Sequence, residues 1–147
     1  MIKYKKIEHE IYPLLADLKK TLSIDKDIVF GYIFGSYGIE KPNALSDVDI
    51  AIFLASIGDT FEKKMELIEK ITSVLKTDEI DLVILNEAPL SLQFHVLKTG
   101  RLLFSKNDES RLNFITQVYD FYCDTEPLRQ IAEKNLIKKI HGVQSAT

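Results

Sequence analysis

The 147-residue chain has a single cysteine, no tryptophan, only four prolines and only three histidines. It also lacks any apolar run near the roughly 20 residues needed to span a bilayer, so no membrane association is expected. Each shortage excludes something. Cys123 has no second cysteine to pair with, so no internal disulfide can form and a reducing, cytoplasmic setting is expected. The amino-terminal "MIKYKKIEHEIYP" is basic but carries no apolar h-region, so it does not read as a secretory signal. Positive charge is not in surplus: 19 Lys and Arg against 22 Asp and Glu leave a formal net charge of −3. That balance argues against a protein whose task is sequence-independent nucleic-acid binding. His9, His95 and His141 are scattered without ligand spacing, and His95 reads as an ordinary, partly buried helix histidine. Cys123 reads as a small helix residue rather than a nucleophile.

What remains is an ordinary globular composition, 46% apolar and 28% charged, in a chain long enough to bury a core. With no repeat or linker, residues 1–147 are expected to form one domain, of which 108–147 is a helical C-terminal extension. Ile7, Ile11, Leu14, Leu15, Leu18 and Leu22 recur at helical spacing, with Pro13 either kinking that helix or opening a shorter one. "DIVFGYIF" (27–34), "DVDIAIFLA" (47–55), "EIDLVIL" (79–85) and "RLLFS" (101–105) read as strands. The third is apolar on both faces, as expected of a covered central strand. Between them, a helix capped by Asp59 or Thr60 is expected to bury Phe61, Met65, Ile68, Ile71 and Leu75. A second is expected to start at Pro89, bury Leu90, Phe94 and Leu97, and stop at Gly100. From Asp108 onward the pattern is helical, with Pro127 dividing one helix or bending it. The fold class is therefore α/β (α+β), a small sheet flanked by helices.

The segment "GSYGIEKPNALSDVDI" (35–50) stands out because it ends in two aspartates at the mouth of an apolar strand. Residues two apart in a strand share a face, so Asp47 and Asp49 project together, followed on that face by Ala51 and Phe53. Asp81 repeats the arrangement at the start of the third strand, ahead of Val83 and Leu85. If those strands are neighbours, about 4.8 Å apart, three carboxylates converge. Such a group repels itself unless a cation joins it. Mg²⁺ suits it, since that ion takes oxygen ligands and commonly combines a few carboxylates with substrate phosphates. Gly35 permits close backbone approach to a phosphate, and the Ser36 hydroxyl adds a donor. Taken singly, each feature is a common turn or loop; their coincidence at matching strand ends is the signal. Pro42 and Asn43 suit the turn joining the Gly-Ser pair to the aspartates.

Gly35-Ser36, ten intervening residues and Asp47-x-Asp49 resemble the signature of the DNA polymerase beta nucleotidyltransferase superfamily. Through "IFGSYG", "LSDVDIAIF", "EIDLVILNEAPL", "HVLKTGRLLF" and "DTEPLR", the chain more narrowly resembles the minimal nucleotidyltransferase (MNT) antitoxins of HEPN/MNT toxin–antitoxin pairs. That resemblance implies a nucleotidyltransferase fold with a small mixed central sheet and a helical C-terminal segment. It implies an enzyme that transfers AMP from ATP to a tyrosine of a partner HEPN RNase toxin, in a hetero-oligomer, and so neutralises it. Gly35 and Ser36 would hold the triphosphate. Asp47 and Asp49 would bind two Mg²⁺ ions, while Asp81 would ligate the catalytic ion and help deprotonate the acceptor tyrosine.

One departure from the pattern is Ile39, where many relatives carry arginine; Lys41, Lys98 and Arg101 are candidate substitutes. Two further readings stand beside the antitoxin enzyme. One is a small-molecule nucleotidyltransferase, and the other is an antitoxin that neutralises by stoichiometric contact with a weak or vestigial site. Tyr119, Phe121 and Tyr122, ahead of "DTEPLR", are the candidate partner surface.

Overall fold

The computed structural model describes residues 9–40, 42 and 47–145, without the side chains from 139 onward. Ile7, Lys41 and Asn43 therefore lie outside the described residues. Strands β1 (Ile28–Phe34), β2 (Val48–Leu54), β3 (Ile80–Ile84) and β4 (Arg101–Ser105) form a sheet ordered β3-β2-β1-β4. β1 runs antiparallel to β2 and β4, and β2 runs parallel to β3, so the sheet is mixed as expected. β3 is an edge strand, not a central one. Its two-sided apolar character comes from helices on both faces: Leu82 and Ile84 enter one core, and Val83 and Leu85 the other.

Alternation within the strands sorts these two cores. Val48, Ile50, Ile52 and Leu54 pack against α1 (Leu15–Ser23) and α3 (Thr60–Leu75), which contribute Leu18, Leu22, Leu67, Ile71 and Leu75. Phe30, Tyr32, Phe34 and Ala51 face the other way, onto Val96 of α4 (Leu90–Thr99) and Phe114 and Val118 of α5 (Asp108–Ser145). A single turn, α2 (Gly35–Gly38), follows β1.

Local signals set most boundaries. Pro13 sits in a 3₁₀ turn, Tyr12–Leu14, just ahead of α1, so it starts the helix rather than kinking it. Asp59 caps α3 by accepting the Glu62 N–H at 3.1 Å. The expected α3 stripe is corrected, however. Phe61 and Met65 are 73% and 45% exposed, and Leu67 takes their place inside, because the first turns of α3 face away from the sheet. Pro89 is the N-cap of α4. On α4 the fully buried residue is Val96, with Leu90, Phe94 and Leu97 packed around that core. α5 runs through Pro127 as one 38-residue helix, about 57 Å long at 1.5 Å per residue. A proline costs one intrahelical bond without ending a helix whose first half is anchored by packing.

On the α1/α3 face, Lys63 donates to Asp25 at 2.7 Å and to Asp27 at 3.0 Å, and Lys70 lies 3.5 Å from Asp25. Burial pushes the Asp25 carboxyl up, but the Lys63 hydrogen bond and the neighbouring positive charge outweigh it and hold it below the usual carboxylate range. Burial likewise pulls Lys63 down, and its bonds to Asp25 and Asp27 raise it above the usual lysine value. A lowered carboxylate stabilises the fold above about pH 4 and loses that contribution as pH falls through its folded value. A raised lysine contributes below about pH 10 and fades above. Asp25→Asn is thus expected to destabilise the protein by about 1–3 kcal/mol at pH 7. The difference from the unsubstituted chain should shrink towards pH 3, as read by urea denaturation at the two pH values.

Candidate functional site

At one end of the sheet the register places Phe34, Asp49 and Asp81 side by side on β1, β2 and β3: Phe34 pairs with Asp49, and Asp49 with Asp81. All three point to the α4/α5 face, the face of Ala51 and Phe53. The parallel β2–β3 pairing sets Asp49 level with Asp81, with strands about 4.8 Å apart. The expected convergence of all three carboxylates is not found among the described residues, because Asp47 precedes the strand. Asp47 lies two residues ahead, just outside β2, and is exposed, as is Asp81; Asp49 is half-buried. Among the described residues, no three His, Cys, Asp or Glu side chains gather closely enough to cage a metal ion unaided. The arrangement is an open pair with a third carboxylate beside it.

Gly35 follows Phe34 directly and turns the chain with φ +65°, in the left-handed region where side chains are strained. A Cβ built there would lie 2.2 Å from Asp49 Oδ2. Backbone and carboxylate thus occupy space that any side chain would fill. Gly35 and Ser36 open α2, and both are half-buried at the mouth of the site. Phe34 is extended, φ −136° and ψ −171°, so the chain passes from strand to turn within one residue.

Two contacts fix this loop. The Gly35 N–H donates to Thr99 Oγ1 at 3.3 Å, and that hydroxyl donates to the His95 carbonyl at 2.9 Å. Gly38 packs so closely on the end of α4 that a Cβ would fall 2.3 Å from the Thr99 carbonyl oxygen. The loop therefore leans on α4, and the Gly35 N–H is committed to Thr99 in this arrangement. Tyr12 donates from its hydroxyl to the Tyr37 carbonyl at 3.3 Å, bracing the loop from the opposite side. Burial raises both phenols above their ordinary pKa, with further upward pushes from Glu40 on Tyr12 and from Tyr12 on Tyr37.

Thr99 and Phe34 were not legible as site residues. No spacing in the sequence links residue 99 to residue 35; the antiparallel β1–β4 pairing brings them together. Of the candidate cations, Arg101 pairs with Glu40 and Lys98 is exposed on α4. Ile39 is exposed as well. His95 is not partly buried as expected; it is exposed, with its ring set against Phe34. His9 is engaged by the Leu75 carbonyl, 2.6 Å from Nε2. Cys123 is exposed. Among the described residues, no helix is long and apolar enough to cross a membrane.

Comparison with known proteins agrees with this geometry. Residues 16–109 match the family model described as polymerase beta, nucleotidyltransferase. Protein adenylyltransferase MntA of Shewanella oneidensis is 32% identical over 123 residues, which span 84% of this chain and 82% of that protein. A toxin–antitoxin crystal structure with AMP-PNP superposes with a TM-score of 0.72 at 27% identity, covering 84% of this chain and 98% of the other. A structure of the tri-AMPylated Shewanella oneidensis HEPN toxin in complex with its MNT antitoxin gives 0.69 at 25% identity, with coverages of 87% and 99%. The match to the family model spans most of the chain and includes the Gly35 loop, Asp47, Asp49 and Asp81. The chain belongs to the polymerase beta nucleotidyltransferase family.

Proposed function

We propose that the chain is an antitoxin adenylyltransferase that transfers AMP from ATP to a tyrosine of a partner HEPN RNase toxin, with Mg²⁺ as cofactor. The observation that carries the chemistry is the absence of room at Gly35, where a Cβ would lie 2.2 Å from Asp49 Oδ2. Such contact brings the start of a Gly-Ser loop against the inner member of a carboxylate pair, where a nucleotide phosphate would meet both. The nucleotide and the partner are supported by the relatives, a toxin–antitoxin structure with AMP-PNP, an ATP analogue, and an MNT antitoxin in complex with a tri-AMPylated HEPN toxin. The tyrosine acceptor rests on the family resemblance.

Asp49 and Asp81, with Asp47 beside them, offer hard oxygen donors of the kind Mg²⁺ prefers. Mg²⁺ commonly takes one or two carboxylates and completes its shell with water and substrate phosphate. Mg²⁺ held there would supply neutralisation of the phosphate charge on both the attacking and leaving sides of the displacement. Ser36 donates to the phosphate chain from its hydroxyl, and the glycine before it lets the backbone approach. The tyrosine oxygen attacks the α-phosphorus, the bond to pyrophosphate breaks, and pyrophosphate departs with that electron pair. Asp81, on the exposed side of the pair, accepts the tyrosine proton. The modified tyrosine then carries a phosphate charge and a bulky nucleoside that oppose RNA binding by the toxin.

The direct test incubates the full chain with its HEPN partner, ATP and Mg²⁺ and weighs the toxin by mass spectrometry. Whole AMP increments are expected. Asp47→Ala and Asp49→Ala are each expected to slow their appearance roughly a thousandfold, the loss of several kcal/mol of charge stabilisation. A toxin left at its original mass, yet still blocked as an RNase, would replace the enzymatic reading with stoichiometric neutralisation. Gly35→Ala provides a second check. Its methyl must displace the Asp49 carboxylate, so transfer should fall about a hundredfold with the circular dichroism spectrum retained. Full activity in that variant would remove Gly35 from the account.

A further inference from the structure

α4 holds the loop through Thr99, and one turn earlier it carries a polar side chain towards the same face. The His95 ring lies nearly perpendicular to that of Phe34, at 87°, with centroids 6.1 Å apart. Phe34 is the direct cross-strand partner of Asp49. The imidazole therefore lies on the α4/α5 face of the sheet, the face to which Asp49 and Asp81 also project. Its backbone is held as firmly as its ring, because the His95 carbonyl accepts the hydroxyl that also takes the Gly35 N–H.

The His95 side chain is exposed, with its ring set against Phe34, so its nitrogens are open to a ligand. His9, by contrast, has a ring nitrogen engaged by the Leu75 carbonyl. A nucleoside triphosphate brings several negative charges to a face that already bears carboxylates, so donors on its protein side are needed. Arg101 is drawn to Glu40. Imidazole can donate an N–H to a phosphate oxygen whether neutral or protonated.

We propose that His95 contacts the nucleotide, donating from its imidazole to an oxygen of the phosphate chain lying between the Gly35–Ser36 loop and the Asp49–Asp81 pair. The inference rests on the adenylyltransferase reading and adds a substrate contact to it.

Calorimetric titration of the full chain with Mg·ATP tests it, using the unsubstituted protein, His95→Ala and His95→Gln. Removing one hydrogen bond to a charged oxygen is expected to weaken Mg·ATP binding about tenfold in His95→Ala. The glutamine variant, which keeps an N–H donor at similar reach, should recover most of that loss. Melting temperatures should agree across the three proteins, since the side chain is exposed. In the transfer assay the Ala variant should raise the KM for ATP and leave the KM for the toxin unchanged. Equal Mg·ATP affinity in all three proteins would overturn the inference alone. An equal loss in both variants would overturn it too, by showing that ring shape rather than hydrogen bonding matters. An unsubstituted chain that fails to bind Mg·ATP would overturn the adenylyltransferase reading together with this one.

Discussion

The close approach of the Gly35 backbone to the Asp49 carboxylate is the constraint around which the site is arranged. It requires a residue without a side chain and with φ in the left-handed region, placed directly after a strand, and Gly35 meets all three demands. The contact cannot stand alone, because a one-turn helix has little stability of its own. It is held from one side by Thr99 and the tight seat of Gly38 on α4, and from the other by the Tyr12 hydroxyl on the Tyr37 carbonyl. The Gly35–Gly38 loop is thereby wedged between two helical elements whose own positions are set by the sheet.

The sheet supplies the rest by ordinary alternation. Each strand that carries a site aspartate buries apolar side chains on both faces further along, and bears charge only where it emerges at the end. Parallel pairing of β2 and β3 places Asp49 and Asp81 level with each other, which an antiparallel hairpin would not do for two aspartates both lying at strand starts. The crossover through α3 therefore sets the candidate site as well as the fold. It sends the chain back to begin a second strand at the same end of the sheet.

Much of this was legible because the sequence repeats a single device. An aspartate two residues into an apolar run occurs at Asp49 and again at Asp81, and period-2 alternation alone puts each on the face of Ala51, Phe53, Val83 and Leu85. The four strands were readable from β-branched and aromatic runs, and the α3 start from its capping aspartate. Phe61 and Met65 misled because helical spacing says which residues share a stripe but not how far the sheet extends beneath it. The edge position of β3 was hidden since covering helices make an edge strand look as apolar as a central one. Thr99 and His95 were unreadable as neighbours of Gly35 for a different reason. Their placement depends on β4 returning antiparallel to β1, a long-range pairing with no local mark in the sequence. His95 looked like a packing residue because it stands among apolar helix positions, yet it is exposed, with its ring against Phe34.

In the proposed reading, the Gly35 loop and the Asp49–Asp81 pair hold a metal–nucleotide complex between them. Anomalous diffraction from crystals of the full chain grown with Mn²⁺ and a non-hydrolysable ATP analogue addresses it most directly. An anomalous peak is expected within about 2.5 Å of carboxylate oxygens of Asp49 and of at least one of Asp47 and Asp81, with a phosphate oxygen in the same coordination shell and the phosphate chain against Ser36. Density for metal and nucleotide at any other face of the sheet, with these carboxylates uncoordinated, would contradict it.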